Sequence, residues 1–155
     1  MKQNNQFGFG GLQLLMVVAA IGLVSLVAMP KYNAAMTKAK ITEAFNLAGE
    51  SKRKLSEFYM VNNRFPRSMG EADTMKTSTL TPPEYVSEMV VEPKSLDHDI
   101  VVKVYLKSGV AENPTGVDQF IYIAGNQPSG SSSMLEWSCG AFGLDAGLLP
   151  ENCKG

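Results

Sequence analysis

Two cysteines and a single histidine are the residues of this 155-residue chain whose side chains suggest chemistry most directly. Cys139 and Cys153 both lie near the C-terminus. An even pair favours a disulfide if the domain is exported across a membrane, whereas both would be free thiols in the cytosol, where disulfides are rare. His98 lies between Asp97 and Asp99, but the sequence supplies no further ligands at metal-binding spacing. We therefore predict no metal site, and an exposed histidine in a polar turn.

Signatures of catalysis are missing from the sequence. It contains no glycine-rich phosphate loop, no H-E-x-x-H pair and no nucleophile elbow. The chain is therefore predicted not to be an enzyme and to need no cofactor. An enzyme held by a single membrane anchor is the alternative that this reasoning leaves open.

The overall charge is nearly balanced, with 14 basic and 15 acidic side chains and a net charge of −1. Such a chain has no global basic field, so the net charge does not support DNA as a partner. The cluster at residues 52–54 (Lys-Arg-Lys) could meet DNA or lipid headgroups, but such a run usually forms a solvated helix face. Residues 129–133 (SGSSS) could be glycosylated, although their composition is more typical of a solvated flexible loop.

The N-terminal part of the chain is strongly apolar. No charged side chain occurs between Lys2 and Lys31, and residues 9–29 are interrupted only by glycine, glutamine and serine. A helix of about 20 apolar residues can span a bilayer. A cleaved secretory signal is the alternative, but its apolar run is typically only about 7–15 residues long. We predict a polar leader at residues 1–8, a transmembrane or assembly helix at residues 9–30, and a globular head at residues 31–155.

The pattern becomes amphipathic after Lys31, with apolar residues recurring at steps of three and four as far as Val61. We predict one helix from Phe9 to Val61, about 80 Å long, in which Pro30 could introduce a kink. Residues 64–88 are predicted to be a long loop. Four short β-branched or aromatic runs then predict strands at residues 89–91, 100–106, 120–124 and 134–139. The expected fold is α+β, with an antiparallel meander of about four strands packed on the amphipathic half of the helix.

Several segments together resemble one known family. The sequence from Gly8 to Val18 (GFGGLQLLMVV), with Gly22 and Pro30 at matching distances from Phe9, resembles the class III signal of type IV pilins. The segments EAFNLA (43–48), EFY (57–59) and NRFP (63–66) are similar to the helix and turn of that family. At the other end, WSC (137–139) and LPENC (149–153) are similar to the disulfide closure of type IVa pilins. Residues 67–134 carry no recognisable resemblance.

This resemblance implies a processing route and a set of site residues. A prepilin peptidase would cut between Gly8 and Phe9 and methylate the new N-terminus on Phe9. Gln13, Gly22 and Pro30 would lie at the assembly contacts between subunits. Cys139 and Cys153 would form the disulfide that bounds the exposed D-region.

Gln13 departs from the family pattern, which usually has glutamate at this position. In the family the glutamate is thought to pair with the N-terminal amine of a neighbouring subunit. Gln13 can accept a hydrogen bond from that amine but carries no charge, so the attraction would be weaker. The departure favours a specialised or minor subunit, with an assembling pilin as the alternative.

The function implied by the resemblance is that of a structural subunit of a type IV pilus, used for adhesion, twitching motility or DNA uptake. Its partners would be other pilin subunits, the prepilin peptidase and the pilus assembly machinery of the inner membrane. The precursor would lie in the bacterial inner membrane and the mature chain in an extracellular pilus. Two alternatives are a pseudopilin of a type II secretion system, against which the cysteine closure argues, and a DNA-binding minor pilin for competence.

Overall fold

A computed structural model describes residues 10–74, 83–113, 116–127 and 134–153, without the side chains of residues 12, 23–30 and 69. The architecture is α+β, as predicted. Its elements are helices α1 (Gly11–Asn62) and α2 (Met69–Asp73), strands β1 (Val86–Ser95), β2 (His98–Leu106), β3 (Phe120–Asn126) and β4 (Glu136–Phe142), and two 3-10 helices, Ala146–Leu148 and Glu151–Cys153. The chain divides into two compact units, residues 1–36 and 37–155, and α1 contributes residues to both.

The helical part of the first unit begins at Gly11. The carbonyl oxygen of Gly10 accepts hydrogen bonds from the N–H groups of Gln13 and Leu14, at 2.8 and 3.3 Å. Phe9, the predicted first residue of the helix, lies outside the described residues. The backbone stays helical through Pro30. None of the helices, over the residues that can be described, has the length and hydropathy needed to cross a bilayer.

The part of α1 in the second unit is amphipathic, as the spacing predicts. Four residues at steps of three, four and seven lie on one side of the helix and are fully buried: Ile41, Ala44, Ala48 and Leu55. The helix ends one residue later than predicted, where Asn63 adopts a left-handed conformation with φ of 51° and donates its N–H to the Tyr59 carbonyl at 2.7 Å. This left-handed residue satisfies a carbonyl of the last turn and stops the helix.

The prediction of a loop over residues 64–88 is wrong at two places. Helix α2 forms within it, because the Ser68 hydroxyl accepts a hydrogen bond from the Glu71 N–H at 3.3 Å and so caps its N-terminus. Strand β1 also begins at Val86 rather than at Met89. The alternation is interrupted at the start of β1, where the register shifts between Val86 and Glu88 and both Ser87 and Glu88 are exposed.

The four strands form one antiparallel sheet in the order β1-β2-β3-β4, which confirms the predicted meander. One face of the sheet packs on α1 through a continuous apolar core. Its fully buried members from the strands include Val91, Ile100, Val102, Val104 and Ile121. Ile100, Val102 and Val104 alternate along β2. The residues between them, Val101 and Lys103, and the following Tyr105 therefore lie on the other face.

The turn between β1 and β2 is shorter than predicted. Ser95 pairs with His98, and the two residues between them, Leu96 and Asp97, have φ values of 52° and 61°. Two left-handed residues are typical of a type I′ hairpin turn, whose twist matches that of the strands. The prediction that His98 is exposed in a polar turn is therefore wrong. His98 is the half-buried first residue of β2, and its Nδ1 lies 3.2 Å from Oδ1 of Asn126.

Candidate functional site

Cys139 and Cys153 form a disulfide, with their Cα atoms 5.0 Å apart. This confirms the predicted pairing and rules out the alternative of free thiols. Cys139 belongs to β4, whereas Cys153 is buried in the last 3-10 helix. The bond fastens the C-terminal segment to the last strand, and Leu149 in the same segment is buried in the core.

Trp137, two residues before the first cysteine, joins three parts of the second unit. Its ring makes an edge contact with Phe65 at 5.9 Å between centroids, just beyond the end of α1. The ring also lies across Gly125 of β3, where a Cβ would stand 2.8 Å from it. Lys52 of α1 holds its ammonium 5.3 Å from the ring centre. Trp137 therefore links β4, the strand that carries Cys139, to β3 and to α1.

The basic cluster at residues 52–54 is partly engaged in contacts of its own. Lys52 faces Trp137, and Arg53 pairs with Glu57 one helical turn later at 2.8 Å. A phosphate backbone would have to compete with both contacts. This arrangement gives no support to a DNA-binding role for the cluster.

The predicted assembly residues are not brought together within this single chain. Gln13 and Gly22 are both exposed on α1 in the first unit, among exposed apolar side chains. Gly8 and Phe9, the predicted cleavage site, lie outside the described residues, as does the side chain of Pro30. The serine-rich segment at residues 129–133, for which the composition favours a solvated loop over a glycosylation target, is also outside them.

A nearly buried ion pair on the outer face of the sheet was missed by the sequence reasoning. The Lys103 ammonium donates to Glu92 Oε2 at 2.5 Å and lies 5.6 Å from the centre of the Phe120 ring. Burial alone would raise the pKa of the Glu92 carboxyl, but hydrogen bonds from Lys103 and Ser95 outweigh it, so the pKa lies below its ordinary value. The signal was a single lysine inside the apolar run IVVKVYL.

Aromatic side chains cover much of the same outer face. Tyr105 and Phe142 contact Phe120 with centroid distances of 5.1 and 5.3 Å, and Tyr122 lies 6.5 Å from it. Tyr122 fits because its neighbour in β4 is Gly140, where a Cβ would stand 2.6 Å from the Tyr122 hydroxyl. The cluster shields the Lys103 pair from water, which explains why β2 is buried on both sides.

Tyr85, just before β1, carries a buried hydroxyl that has no hydrogen-bond partner among the described residues. Burial first, and then the facing carboxylate of Glu43, through a hydrogen-bonding interaction and through its charge, raise the pKa of Tyr85. Glu43 is thus the group that the Tyr85 hydroxyl faces, although no hydrogen bond of ordinary geometry joins them.

The described parts of the chain contain no group of three histidine, cysteine, aspartate or glutamate side chains that could hold a metal ion. His98 in particular faces the amide of Asn126. No metal-dependent chemistry is assigned to these residues.

Comparison with known proteins gives a consistent family. A family model for pilins, proteins of bacterial filaments, matches residues 37–154. The fimbrial protein EcpC of Eikenella corrodens is 29% identical over 154 residues, which cover 99% of this chain and 94% of the relative. The type IV major pilin protein PilE1 of Neisseria gonorrhoeae is 26% identical over 135 residues, covering 87% of this chain and 69% of the relative. The chain therefore belongs to the pilin family of bacterial filament proteins, and within it to the type IV pilins.

Proposed function

We propose that this chain is a structural subunit of a type IV pilus, made as a precursor in the bacterial inner membrane and then polymerised into an extracellular filament. The observation that carries the proposal is the uncovered apolar surface of α1 in the first unit. Leu15, Met16 and Ile21 are 68%, 67% and 62% exposed. Soluble monomers rarely leave contiguous apolar surface of this kind in water, so a bilayer or other subunits must cover it.

The proposed processing is cleavage between Gly8 and Phe9 by a prepilin peptidase, followed by methylation of the Phe9 amine. The support is the resemblance of the segment from Gly8 to Val18 to the class III signal. Removal of the polar leader leaves the apolar segment at the start of the mature chain. The same surface then serves as membrane anchor before assembly and as filament core afterwards, with the inner-membrane assembly machinery moving it from one to the other.

Gln13 is the basis for proposing a minor or specialised subunit. Its side chain can accept a hydrogen bond from the Phe9 amine of a neighbouring subunit but cannot form an ion pair with it. A subunit used in few copies has less need of that ion pair than one repeated along the filament. The proposed role is structural, with adhesion, twitching motility and DNA uptake as the activities that the filament would serve.

Mass spectrometry of sheared surface filaments tests the proposal. We expect a mature chain that starts at N-methylated Phe9 and retains the disulfide between Cys139 and Cys153. A Gly8→Val variant should accumulate as the uncleaved chain in the membrane, whereas Gly10→Thr, a matched substitution two residues away, should be processed normally. Finding only uncleaved wild-type chain, with none in the filaments, would refute the proposal.

A deletion strain tests the proposed minor role separately. Filaments that persist without this chain, and contain it in small amounts in the parent strain, agree with a minor subunit. Complete loss of filaments, together with a wild-type filament composed mostly of this chain, would show that it is the major subunit.

A further inference from the structure

A polar cleft of about 620 Å³ lies beside the C-terminal end of α1. One wall is the segment that follows the helix, residues 63–67. The other wall is formed by the β1–β2 hairpin and by the residue that follows β3, with Lys94, Asp99 and Gln127 at its surface. The volume is in the range of small-molecule sites, which is about 300–1,000 Å³.

The first wall is held in place by a carboxylate behind it. Glu71 accepts two hydrogen bonds from the Arg64 guanidinium, at 2.8 and 3.1 Å, and a third from the Arg67 backbone N–H at 2.9 Å. The side-chain bonds from Arg64 and the backbone bond from Arg67 together hold the pKa of the Glu71 carboxyl below its ordinary value. Glu71 thus fixes the backbone at Arg67 while Arg64 neutralises its charge.

The second wall is fixed by backbone bonds of the same kind. Asp99 Oδ2 accepts the N–H of Gln127 at 2.8 Å, and Asn126 Oδ1 accepts the N–H of Asp99 at 3.2 Å. Lys94 lies at the edge of this wall with φ of 51°, a left-handed conformation that lysine adopts infrequently. Both walls are therefore ordered before anything enters the cleft.

Four exposed polar side chains line these walls, namely Asn63, Arg67, Lys94 and Gln127. The charge of Arg67 helps to lower the pKa of Glu71, but among the described residues its guanidinium donates no hydrogen bond. Two of the four carry basic groups and two are amides, so the cleft offers a surplus of donors. Asp99 adds one carboxylate, which can accept a hydrogen bond from a hydroxyl group.

We propose that this cleft binds an anionic sugar unit, with Arg67 and Lys94 holding its carboxylate or sulfate group and Asp99, Asn63 and Gln127 binding its hydroxyls. A guanidinium recognises a planar carboxylate or a sulfate through paired hydrogen bonds, and an ammonium adds a point charge. Amides and a carboxylate are suited to the mixed donors and acceptors of hydroxyl groups.

Duplex DNA fits the same cleft less well. Arg67 and Lys94 both line a single concave cleft. Asp99 would face the phosphates with a like charge, and the chain as a whole has a net charge of −1. A single anionic group carried on a hydroxyl-rich ring uses both the cations and the carboxylate.

Titration calorimetry of the full chain in detergent micelles tests the assignment, and it does not depend on filament assembly. The probes are 3′-sialyllactose and 3′-sulfolactose, with lactose as the neutral control. Both anionic sugars should bind at least about tenfold more tightly than lactose, because only they can accept charge-assisted hydrogen bonds from Arg67 and Lys94. Arg67→Gln and Lys94→Gln should each weaken that binding about tenfold. The matched control is Lys107→Gln, an exposed lysine away from the cleft, which should leave it unchanged.

Three results would overturn the proposal. One is binding of lactose as tight as that of the anionic sugars. Another is binding of inorganic sulfate as tight as that of sulfolactose, which would mean that the sugar is not recognised. The third is tighter binding of a DNA duplex that is lost in the Arg67 and Lys94 variants, which would assign the cleft to nucleic acid. Thermal unfolding of each variant verifies that a loss of binding is not a loss of fold.

Discussion

Replacing Glu92 by glutamine tests the ion pair on the outer face of the sheet. The substitution keeps the size of the side chain and one acceptor oxygen, but it leaves the Lys103 ammonium, in a residue that is 8% exposed, without its counter-ion. Removing one partner of a fully buried pair costs about 3–5 kcal/mol. The Glu92 side chain is 27% exposed, so solvent screens part of the interaction. We therefore expect a loss of about 2 kcal/mol in the free energy of unfolding.

Urea denaturation of the full chain in detergent micelles measures this loss, with the fluorescence of Trp137, the only tryptophan, as the probe. Urea is uncharged and does not screen ion pairs as guanidinium does. The control is Glu57→Gln, which breaks the pair with Arg53 on α1, where the two side chains are 60% and 70% exposed. Exposed pairs contribute roughly 0–1 kcal/mol, so the control should be close to wild type.

The pH dependence provides a second measurement on the same variant. The folded-state pKa of Glu92 lies below its ordinary value of 4.5. A carboxyl of this kind contributes stability above its unfolded-state pKa, and that contribution is lost as the pH falls through the folded-state pKa. Wild type should therefore lose stability below about pH 4.5 more steeply than Glu92→Gln. If the variant is as stable as wild type at pH 7, or if both lose stability equally below about pH 4.5, the Lys103 ammonium is already solvated.

Further substitutions test other contacts of the second unit. The double variant Cys139→Ser/Cys153→Ser should have a free energy of unfolding about 3 kcal/mol lower than wild type, which is the entropic value for a loop of about 15 residues. A reductant should lower the free energy of unfolding of wild type by the same amount and leave that of the variant unchanged. Gly125→Ala should displace the Trp137 ring, which would shift its fluorescence and destabilise the fold by about 1–3 kcal/mol; an unchanged spectrum would contradict the close approach. Tyr85→Phe removes a buried hydroxyl that makes no hydrogen bond of ordinary geometry and should raise the thermal midpoint by about 2–4 °C, whereas a lower midpoint would mean that Glu43 is its hydrogen-bond partner.

Local pattern was sufficient to predict the helix and the order of the strands. The buried positions Ile41, Ala44 and Ala48 follow the helical repeat, and this repeat is visible without any knowledge of the sheet. The strands at β2 and β3 are long β-branched or aromatic runs. Short connections between them leave the antiparallel meander as the simplest topology, which is the one observed.

The contacts that link distant residues could not be predicted in the same way. The pairing of Lys103 with Glu92 depends on the register between β1 and β2, and no local pattern specifies that register. Helix α2 is only five residues long, too short for a periodic signal. Its start was nevertheless visible as Ser68 followed three residues later by Glu71, a capping pattern that the loop assignment overlooked.

The two units differ in whether the chain itself buries their apolar residues. Substitutions in the two units are therefore expected to affect different properties, folding in one and assembly in the other. In residues 37–155 one side of α1, which includes Ile41 and Leu55, is buried in a core shared with the sheet, so substitutions such as Glu92→Gln or Gly125→Ala act on folding. In the first unit, Leu15 and Ile21 are exposed in the single chain, and under the proposed function a bilayer or other subunits would bury them. Charged substitutions there should leave the unfolding of the head unchanged and impair assembly. Gln13 lies in this exposed region, which agrees with the proposal that its neutral side chain acts on how subunits join rather than on whether the head folds.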